Sequence, residues 1–84
     1  MKLVVLTKEE DNDKRETDRI VSEVEKEGFE VERIDWDSEE AVSLARLYDI
    51  YSTPAFIVIQ DDGKQVEQWQ GNNLPLASEI KHLM

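Results

Sequence analysis

The sequence predicts an α/β fold in which a central four-stranded mixed sheet is flanked by three helices, in the order βαβαββα. Three observations predict it. Two apolar runs are each followed by a stripe of helical period, an Asp-Gly pair separates two further strand-like runs, and a last helical stripe lies near the C-terminus. A chain of 84 residues has room for one modest core, so we expect residues 1–84 to form a single domain.

The first strand and helix occupy the chain up to Gly28. Residues 2–6 form a continuous apolar run, which is typical of a strand covered on both faces and therefore central in its sheet. Asp13 and Glu16 predict a reciprocal capping box at the start of the helix, and Gly28 predicts a left-handed end. The buried stripe is predicted to be Thr17, Ile20, Val21 and Val24.

A second strand and helix follow. Residues 29–34 alternate only partly, which indicates a strand with an irregularity at Glu32-Arg33. Asp37 and Glu40 repeat the D-x-x-E start, and the helix is expected to end near Asp49. The right-handed crossover rule makes the first two strands parallel and adjacent or nearly so. The helical stripe is Ala41, Leu44, Ala45 and Tyr48, widened by Val42 and Leu47.

The last two strands form a predicted hairpin. Residues 55–59, AFIVI, and residues 66–69 flank the Asp62-Gly63 pair, which is a strong signal for two antiparallel strands.

A terminal helix should follow the hairpin. Asn72 or Asn73 can cap it, Pro75 is tolerated in its first turn, and its stripe is Leu76, Ile80 and Leu83.

The charge of the chain limits the kinds of partner that it can bind. Twenty acidic residues oppose ten basic ones, and residues 9–40, with fifteen acidic and five basic residues, account for the net charge of −10. Such a field opposes binding to nucleic acid or to an anionic membrane, and it favours a protein or peptide with a neutral to basic surface. The alternative is that the charge only keeps the helix surfaces solvated.

The chain contains no cysteine, so it has no disulfide, no thiolate metal site and no thiol redox chemistry. Its first apolar run is too short for a signal peptide or a membrane span. We therefore expect a soluble cytoplasmic protein.

One part of the chain carries a specific resemblance, strongest over residues 48–71. The element order, I-D-x-D at the end of strand two, and Y-D-I-Y-S-T-P-A-F-I-V-I followed by D-D-G-K and W-Q-G resemble the thioredoxin superfamily, closest in layout to its glutaredoxin-sized members. The resemblance implies a cis Thr53-Pro54 bond. It also implies that the backbone N–H and C=O of Thr53 face outward, where an extended peptide can pair as an added strand. Alternatively, Pro54 only shapes the turn into strand three.

The resemblance also locates the reactive turn of that family, which falls within residues 9–14 and is here called the first turn. Redox-active members carry a C-x-x-C there, so its loss implies a redox-inactive protein. Carboxylates at the helix N-terminus already supply the anion that this end favours, which argues against glutathione or phosphate at that spot. A glutaredoxin-like Gly-Gly turn with a following acid is also missing, since residues 70–73 read QGNN. The place of the C-x-x-C is taken by Asp11, Asn12, Asp13 and Lys14.

Metal binding at these acids is the less favoured alternative. Asp11 and Asp13 resemble the start of a calcium loop, but Arg15 stands where a third oxygen ligand belongs, and the loop glycine is absent. A loose cluster of acids around Trp36 is conceivable, with Trp36 as a rim residue or, preferably, an aromatic at the edge of the core. We expect no metal and no cofactor. The acids of that cluster would be Asp11, Asp13, Asp35 and Asp37.

Other chemically active residues are few. His82 is expected at the surface of the last helix, away from Ser52, so a Ser-His-Asp arrangement lacks support. Tyr48, Tyr51 and Trp69 are expected to be core or sheet-face residues rather than a platform for stacking bases.

The favoured function is therefore a monomeric, non-catalytic module that binds a protein or peptide. The candidate binding residues are Thr53, Pro54, Tyr51 and Trp36 together with Asp11, Asn12, Asp13 and Lys14 of the first turn. Three alternatives stay open. They are a regulatory protein like the circadian-clock KaiB proteins, a glutathione-using enzyme that relies on the Ser52 or Tyr51 hydroxyl, and a natural or designed domain with no readable function.

Overall fold

A computed structural model describes all residues 1–84. It contains four strands in one sheet, in the order β2-β1-β3-β4, and three helices. None of these helices has the length and hydrophobicity needed to cross a membrane. The elements are β1 (Lys2–Thr7), α1 (Lys14–Lys26), β2 (Val31–Asp35), α2 (Glu39–Tyr48), β3 (Ala55–Ile59), β4 (Gln65–Gln70) and α3 (Ala77–Leu83).

The sheet has the predicted pairing. β1 runs parallel to β2 and antiparallel to β3, and β3 pairs with β4 in an antiparallel hairpin. Residues 3–6 are at most 1% exposed, because β1 is an inner strand with helices over both faces. The predicted mixed α/β sheet and the central place of the first strand are confirmed.

The predicted irregularity at Glu32-Arg33 is wrong, because β2 pairs with β1 in an unbroken register. The sheet is irregular between β3 and β4 instead, where Val58 lies opposite Glu67 and Ile59 opposite Gln65. The incomplete alternation of apolar residues in β2 has another reason. The side chains at positions 32 and 34 face α2, and of these two only Ile34 is buried in the core.

Helix α1 begins without the predicted capping box. The Asp13 side chain makes no capping hydrogen bond, and Glu16 instead forms an ion pair with Arg19, one turn further along. Only the backbone C=O of Asp13 contributes to the hydrogen bonding of the helix start, where it accepts the N–H of Thr17 at 2.9 Å. The predicted end is confirmed, since Gly28 has a φ of +86° and its N–H donates to the C=O of Glu25.

Helix α2 is capped one residue later than predicted. The N-cap is Ser38 rather than Asp37, and its Oγ accepts the N–H of Ala41 at 3.1 Å. Serine and aspartate are equally good caps, so two adjacent candidates cannot be separated by residue type. The helix ends at Asp49 as predicted, with a left-handed φ of 56°.

The buried stripe of α2 is narrower than predicted. Val42 and Leu47 are 48% and 68% exposed, so they lie outside the face that the helix packs against the sheet. Ala41 is buried, and Leu44, Ala45 and Tyr48 pack partly buried against the core.

Helix α3 starts later than predicted. Leu76 has an extended backbone and is its N-cap, so Asn72, Asn73 and Pro75 all precede the helix. The N–H of Leu76 donates to the Glu79 carboxylate at 3.0 Å, which replaces a cap by asparagine.

The core consists of two layers, one on each face of the sheet. Alternate residues of β1 and β3 supply both, as expected for inner strands. The first layer, under α1 and α3, is built from Leu3, Val5, Ile20, Val21, Val24, Phe56, Val58, Ala77 and Ile80. The second layer, under α2, is built from Val4, Leu6, Ile34, Ala41, Ile50, Ala55, Ile57 and Ile59.

Candidate functional site

The first turn and the segment before Pro54 meet at the end of the sheet where β1 stops. Asp11 joins them: its Oδ1 accepts the hydroxyl of Thr53 at 2.8 Å, and its Oδ2 accepts the N–H of Lys8 at 2.8 Å. A hydrogen bond to a carboxylate is stronger than one between neutral groups. The structure thus brings together two of the sequence-predicted site residues that are 42 positions apart.

Residues 51–54, here called the proline segment, lead into β3. The Thr53-Pro54 peptide bond is cis. Pro54 is buried, and its C=O accepts the N–H of Gly71 at 3.0 Å. The N–H and C=O of Thr53 form no hydrogen bond within the chain, although the Thr53 side chain is anchored. Two backbone groups therefore remain free to pair beside the first turn.

One side chain on β4 holds the proline segment in place. Gln70 Oε1 accepts the N–H groups of Tyr51 and Ser52 at 2.8 and 3.2 Å, and Gln70 Nε2 donates to the C=O of Asp49 at 3.2 Å. A free amide side chain can pair with backbone in this way because it offers both donors and acceptors. Gln70 is not among the site residues predicted from the sequence. The available signal was its place at the end of β4 opposite Ala55, next to the proline segment.

Gly71 permits the close approach of β4 to the proline segment. It has a φ of +68°, and a Cβ placed there would lie 2.9 Å from the Oγ of Ser52. Only glycine fits both the backbone conformation and the contact without a shift of Ser52.

Trp36 lies at the edge of the core, directly after β2. Its backbone N–H donates to the C=O of Thr7 at 2.8 Å, and its half-buried side chain packs against the core layer under α2. A small cleft of about 210 Å³ lies there, bordered by Trp36, Val42 and Ile50. The interpretation of Trp36 as a core-edge aromatic is confirmed.

The other three aromatic residues considered for the site differ in their burial. Tyr48 and Trp69 pack against the core as expected. Tyr51 does not, because it is 81% exposed in the proline segment, and the expectation of a core or sheet-face position is wrong for this residue. Its exposure suits a contact residue better than a structural one.

The remaining first-turn residues are less engaged. Asn12 and Lys14 are exposed, and Asp13 is half-buried. Lys8, Lys14 and Arg33 border a cleft of about 340 Å³ next to this turn, together with two acidic residues. This side of the first turn is therefore mixed in charge rather than purely acidic.

The acidic residues near Trp36 do not converge. No group of three or more His, Cys, Asp or Glu side chains is arranged to hold a metal ion. Asp11 is committed to Lys8 and Thr53, and Asp35 accepts the N–H of Asp37 at 3.0 Å. The loose cluster of Asp11, Asp13, Asp35 and Asp37 that the sequence left open therefore has no arrangement for holding a metal ion.

The site has no nucleophile with an adjacent base. The Ser52 hydroxyl lies near Gln70, at 3.4 Å from its Oε1, while His82 is exposed on α3 beside Glu67 and Trp69 of β4. Free backbone groups, an exposed aromatic and an anchored threonine can bind a ligand, but they do not form a catalytic arrangement.

Comparisons with known proteins bear on the fold. No family model and no curated protein matches this chain. Among solved structures, an uncharacterized thioredoxin-like protein from Clostridium perfringens superposes with a TM-score of 0.80 at 20% identity, over 98% of this chain and 66% of that one. This chain thus spans just under two thirds of that protein.

Two thioredoxins also superpose. Thioredoxin 1 of Thermosipho africanus gives a TM-score of 0.72 at 14% identity, covering 99% of this chain and 89% of the other. A thioredoxin from Thermus thermophilus gives 0.65 at 24% identity, covering 96% and 68%. The protein therefore has the thioredoxin-like fold, and since it contains no cysteine it lacks the C-x-x-C motif.

Proposed function

We propose that this protein is a redox-inactive, thioredoxin-like interaction domain that acts as a cytoplasmic monomer. It binds an extended segment of a protein or peptide along Thr53. The single observation that carries the proposal is the hydrogen bonding of this residue. Its hydroxyl is fixed by Asp11 at 2.8 Å, whereas its backbone N–H and C=O have no partner in the chain.

The geometry favours pairing through the backbone. Thr53 lies two residues before β3, so an extended partner bonded to its N–H and C=O would lie beside the end of the sheet as an added strand. Gln70 and Asp11 hold the two sides of the segment, which lowers the entropy lost on binding.

Two aromatic side chains of the candidate site can supply contact area. Tyr51 is 81% exposed, and Trp36 borders its own cleft against α2. Aromatic residues of this kind carry much of the binding energy in protein interfaces.

The charge of the domain favours a neutral to basic partner. The net charge of −10 lies within residues 9–40, which include the first turn and Trp36. A basic partner would be attracted over a distance of about one Debye length, roughly 8–10 Å at physiological salt.

An amide-shift titration tests the proposal, with a short end-capped peptide of alternating valine and lysine as the probe. We expect the amides of residues 9–14, 36 and 51–53 to shift together, since Pro54 itself has no amide hydrogen. We also expect Tyr51→Ala to weaken binding about 5- to 30-fold, as for a hot-spot aromatic. Leu47→Ala is the matched control, because Leu47 is similarly exposed but lies on α2. Shifts confined to α3, or equal losses in both variants, would overturn the proposal.

Two further measurements separate the alternatives. A glutathione-using enzyme would show shifts at Ser52 and Tyr51 with millimolar glutathione. A KaiB-like regulator would show oligomers or a second set of amide signals, whereas the proposed domain gives one monomeric set and no response to glutathione.

A further inference from the structure

A groove at the other end of the sheet has no part in the proposed function. It has a volume of about 440 Å³ and lies where β1 starts and β3 ends, with Lys2 at its border, and is here called the Lys2 groove. The proline segment lies at the opposite end of these strands, since Leu6 pairs with Ala55 and Lys2 pairs with Ile59.

The Lys2 groove lies on the face of the sheet that α2 covers. Val4 and Ile59 form its apolar floor but are only 1% and 5% exposed, so its accessible apolar surface belongs to the side chains around them. Leu44 and Tyr48, four positions apart on α2, form one wall. The hydroxyl of Tyr48 donates to the C=O of Gly63, which ties this wall to the β3-β4 hairpin.

The rim of the Lys2 groove carries six charged groups, four of them carboxylates. Lys2 Nζ pairs with Glu32 at 2.8 Å, and the N-terminal ammonium pairs with Asp61 at 2.7 Å. Glu30 and Glu40 have no ion-pair partner. The rim therefore presents two uncompensated negative charges above an apolar floor.

The surroundings of Lys2 agree with this negative charge. The hydrogen bond to Glu32 raises the pKa of Lys2 above its ordinary value; burial opposes this rise, and the charges of Glu32, Glu30 and Glu40 add to it. Both unpaired carboxylates therefore act on the position that the Lys2 ammonium occupies. Lys2 also combines an aliphatic stem with a cation, so it shows which kind of molecule the groove accommodates.

We propose that the Lys2 groove binds a small organic cation, namely a primary amine with an apolar body. The ammonium would join Glu40 and Glu30 at the rim, and the apolar body would lie against Leu44 and Tyr48, above the buried Val4 and Ile59. The volume falls within the roughly 300–1,000 Å³ of ordinary small-molecule sites, and the lining combines five apolar residues with the charged groups of the rim. Charge complementarity selects the cation.

The test is an amide-shift titration of the whole chain with phenethylamine at neutral pH. We expect shifts at Lys2, Val4, Leu44 and Tyr48, and none at the first turn. Two analogues isolate the two parts of the ligand. 2-Phenylethanol lacks the charge and ethylamine lacks the apolar body, so each should bind at least fivefold more weakly.

Three variants assign the site. Glu40→Gln should weaken phenethylamine binding about two- to fivefold, the range that exposed ion pairs support. Glu39→Gln is the matched control, because it removes the same charge from the same turn of α2 but outside the groove lining. Lys2→Met should strengthen binding by a similar factor, because it keeps the aliphatic stem and removes the competing ammonium.

Several outcomes would overturn the proposal. They are equal effects of Glu39→Gln and Glu40→Gln, equal binding of 2-phenylethanol, shifts spread over all acidic surfaces, or occupation of the groove by the valine-lysine peptide but not by the amine. Glu39 and Glu40 are exposed and Lys2 is half-buried, and an unchanged dispersion of amide signals verifies the folding of all three variants. A failure here leaves the peptide proposal untouched, since the two sites lie at opposite ends of the sheet.

Discussion

The two faces of the sheet are made from alternate residues of the same strands, yet they are covered unequally. α1 and α3 cover one face, and Leu3, Val5, Phe56 and Val58 beneath them are fully buried. α2 alone covers the other face, where the strand residues Val4, Leu6 and Ile57 are equally buried, but Ala41 is the only buried residue of the helix itself. The Trp36 cleft and the Lys2 groove both lie on this second face.

The difference teaches that helix coverage, rather than strand composition, determines where this fold offers binding surface. Val4 and Ile59 are as apolar as Leu3 and Val58, but the first two border a groove and the other two do not. Val4 and Ile59 are themselves buried, so Leu44 and Tyr48 of α2 form the accessible apolar wall of the groove, and concave surfaces of this kind are where ligand sites usually form.

The largest expected effect compares truncations under the two faces. Ile20→Ala, in the layer under α1 and α3, should lower the free energy of unfolding by about 2–5 kcal/mol, because it leaves a cavity in a fully buried site. Leu44→Ala should cost about 1–2 kcal/mol, because Leu44 is only half-buried. Urea denaturation of both variants measures the difference. Equal losses would show that the two faces are equally well packed.

The second effect concerns the contact between β4 and the proline segment. Gly71→Ala should cost about 2–3 kcal/mol, because the alanine must hold a left-handed conformation and its Cβ would meet Ser52. Gly63→Ala is the control: its φ is +89° but a Cβ there meets nothing, so about 1–2 kcal/mol is expected. Thermal denaturation of the Gly71→Ala, Ser52→Gly double variant should recover the difference, and no recovery would remove the steric explanation.

The third prediction makes the same substitution, threonine to valine, at two positions and expects opposite changes in the free energy of unfolding. Thr17→Val should stabilise the protein by about 1 kcal/mol, because the Thr17 hydroxyl is buried under α1 without a hydrogen-bond partner. Thr53→Val should destabilise it by about 1–2 kcal/mol, because it removes the hydrogen bond to Asp11. Each variant is the control for the other in chemical denaturation, and the same sign in both would contradict the assignment.

The smallest expected effect is a change in the pKa of Glu16, on the solvent-exposed face of α1. Arg19 holds the pKa of Glu16 below its ordinary value of 4.5, chiefly through their hydrogen bond. The contribution of this pair to stability is therefore present above about pH 4.5 and is lost as the pH falls through the lower pKa of the folded state. In an NMR pH titration, Arg19→Gln should raise the pKa of Glu16 toward 4.5. Lys26→Gln, on the same helix, should leave it unchanged.

The strands and the hairpin were predictable because their signals are local. A continuous apolar run such as residues 55–59 can only be an inner strand here, and Asp62-Gly63 fixes the turn that follows. The capping of α1 was not predictable in the same way. Glu16 has two partners within reach, the helix start and Arg19, and the sequence does not rank them.

The site was predictable only where the resemblance located it. Thr53 and Asp11 were expected to lie near each other, and their hydrogen bond is observed. Gln70 was not expected, because a glutamine at the end of a strand has no pattern that distinguishes a surface residue from one that holds a neighbouring segment. The Lys2 groove was not predicted, since its lining comes from β1, α2 and the β3-β4 hairpin, which only the tertiary fold brings together.

Gln70 has a consequence for the exchange of amide hydrogens with solvent. The amides of Tyr51 and Ser52 donate to the same oxygen of this side chain, so their protection depends on one rotamer rather than on a strand ladder. Both hydrogens should therefore exchange at one common opening rate, independently of β3. Their paired exchange is a readout of how often the proline segment detaches from the sheet, obtainable without any ligand.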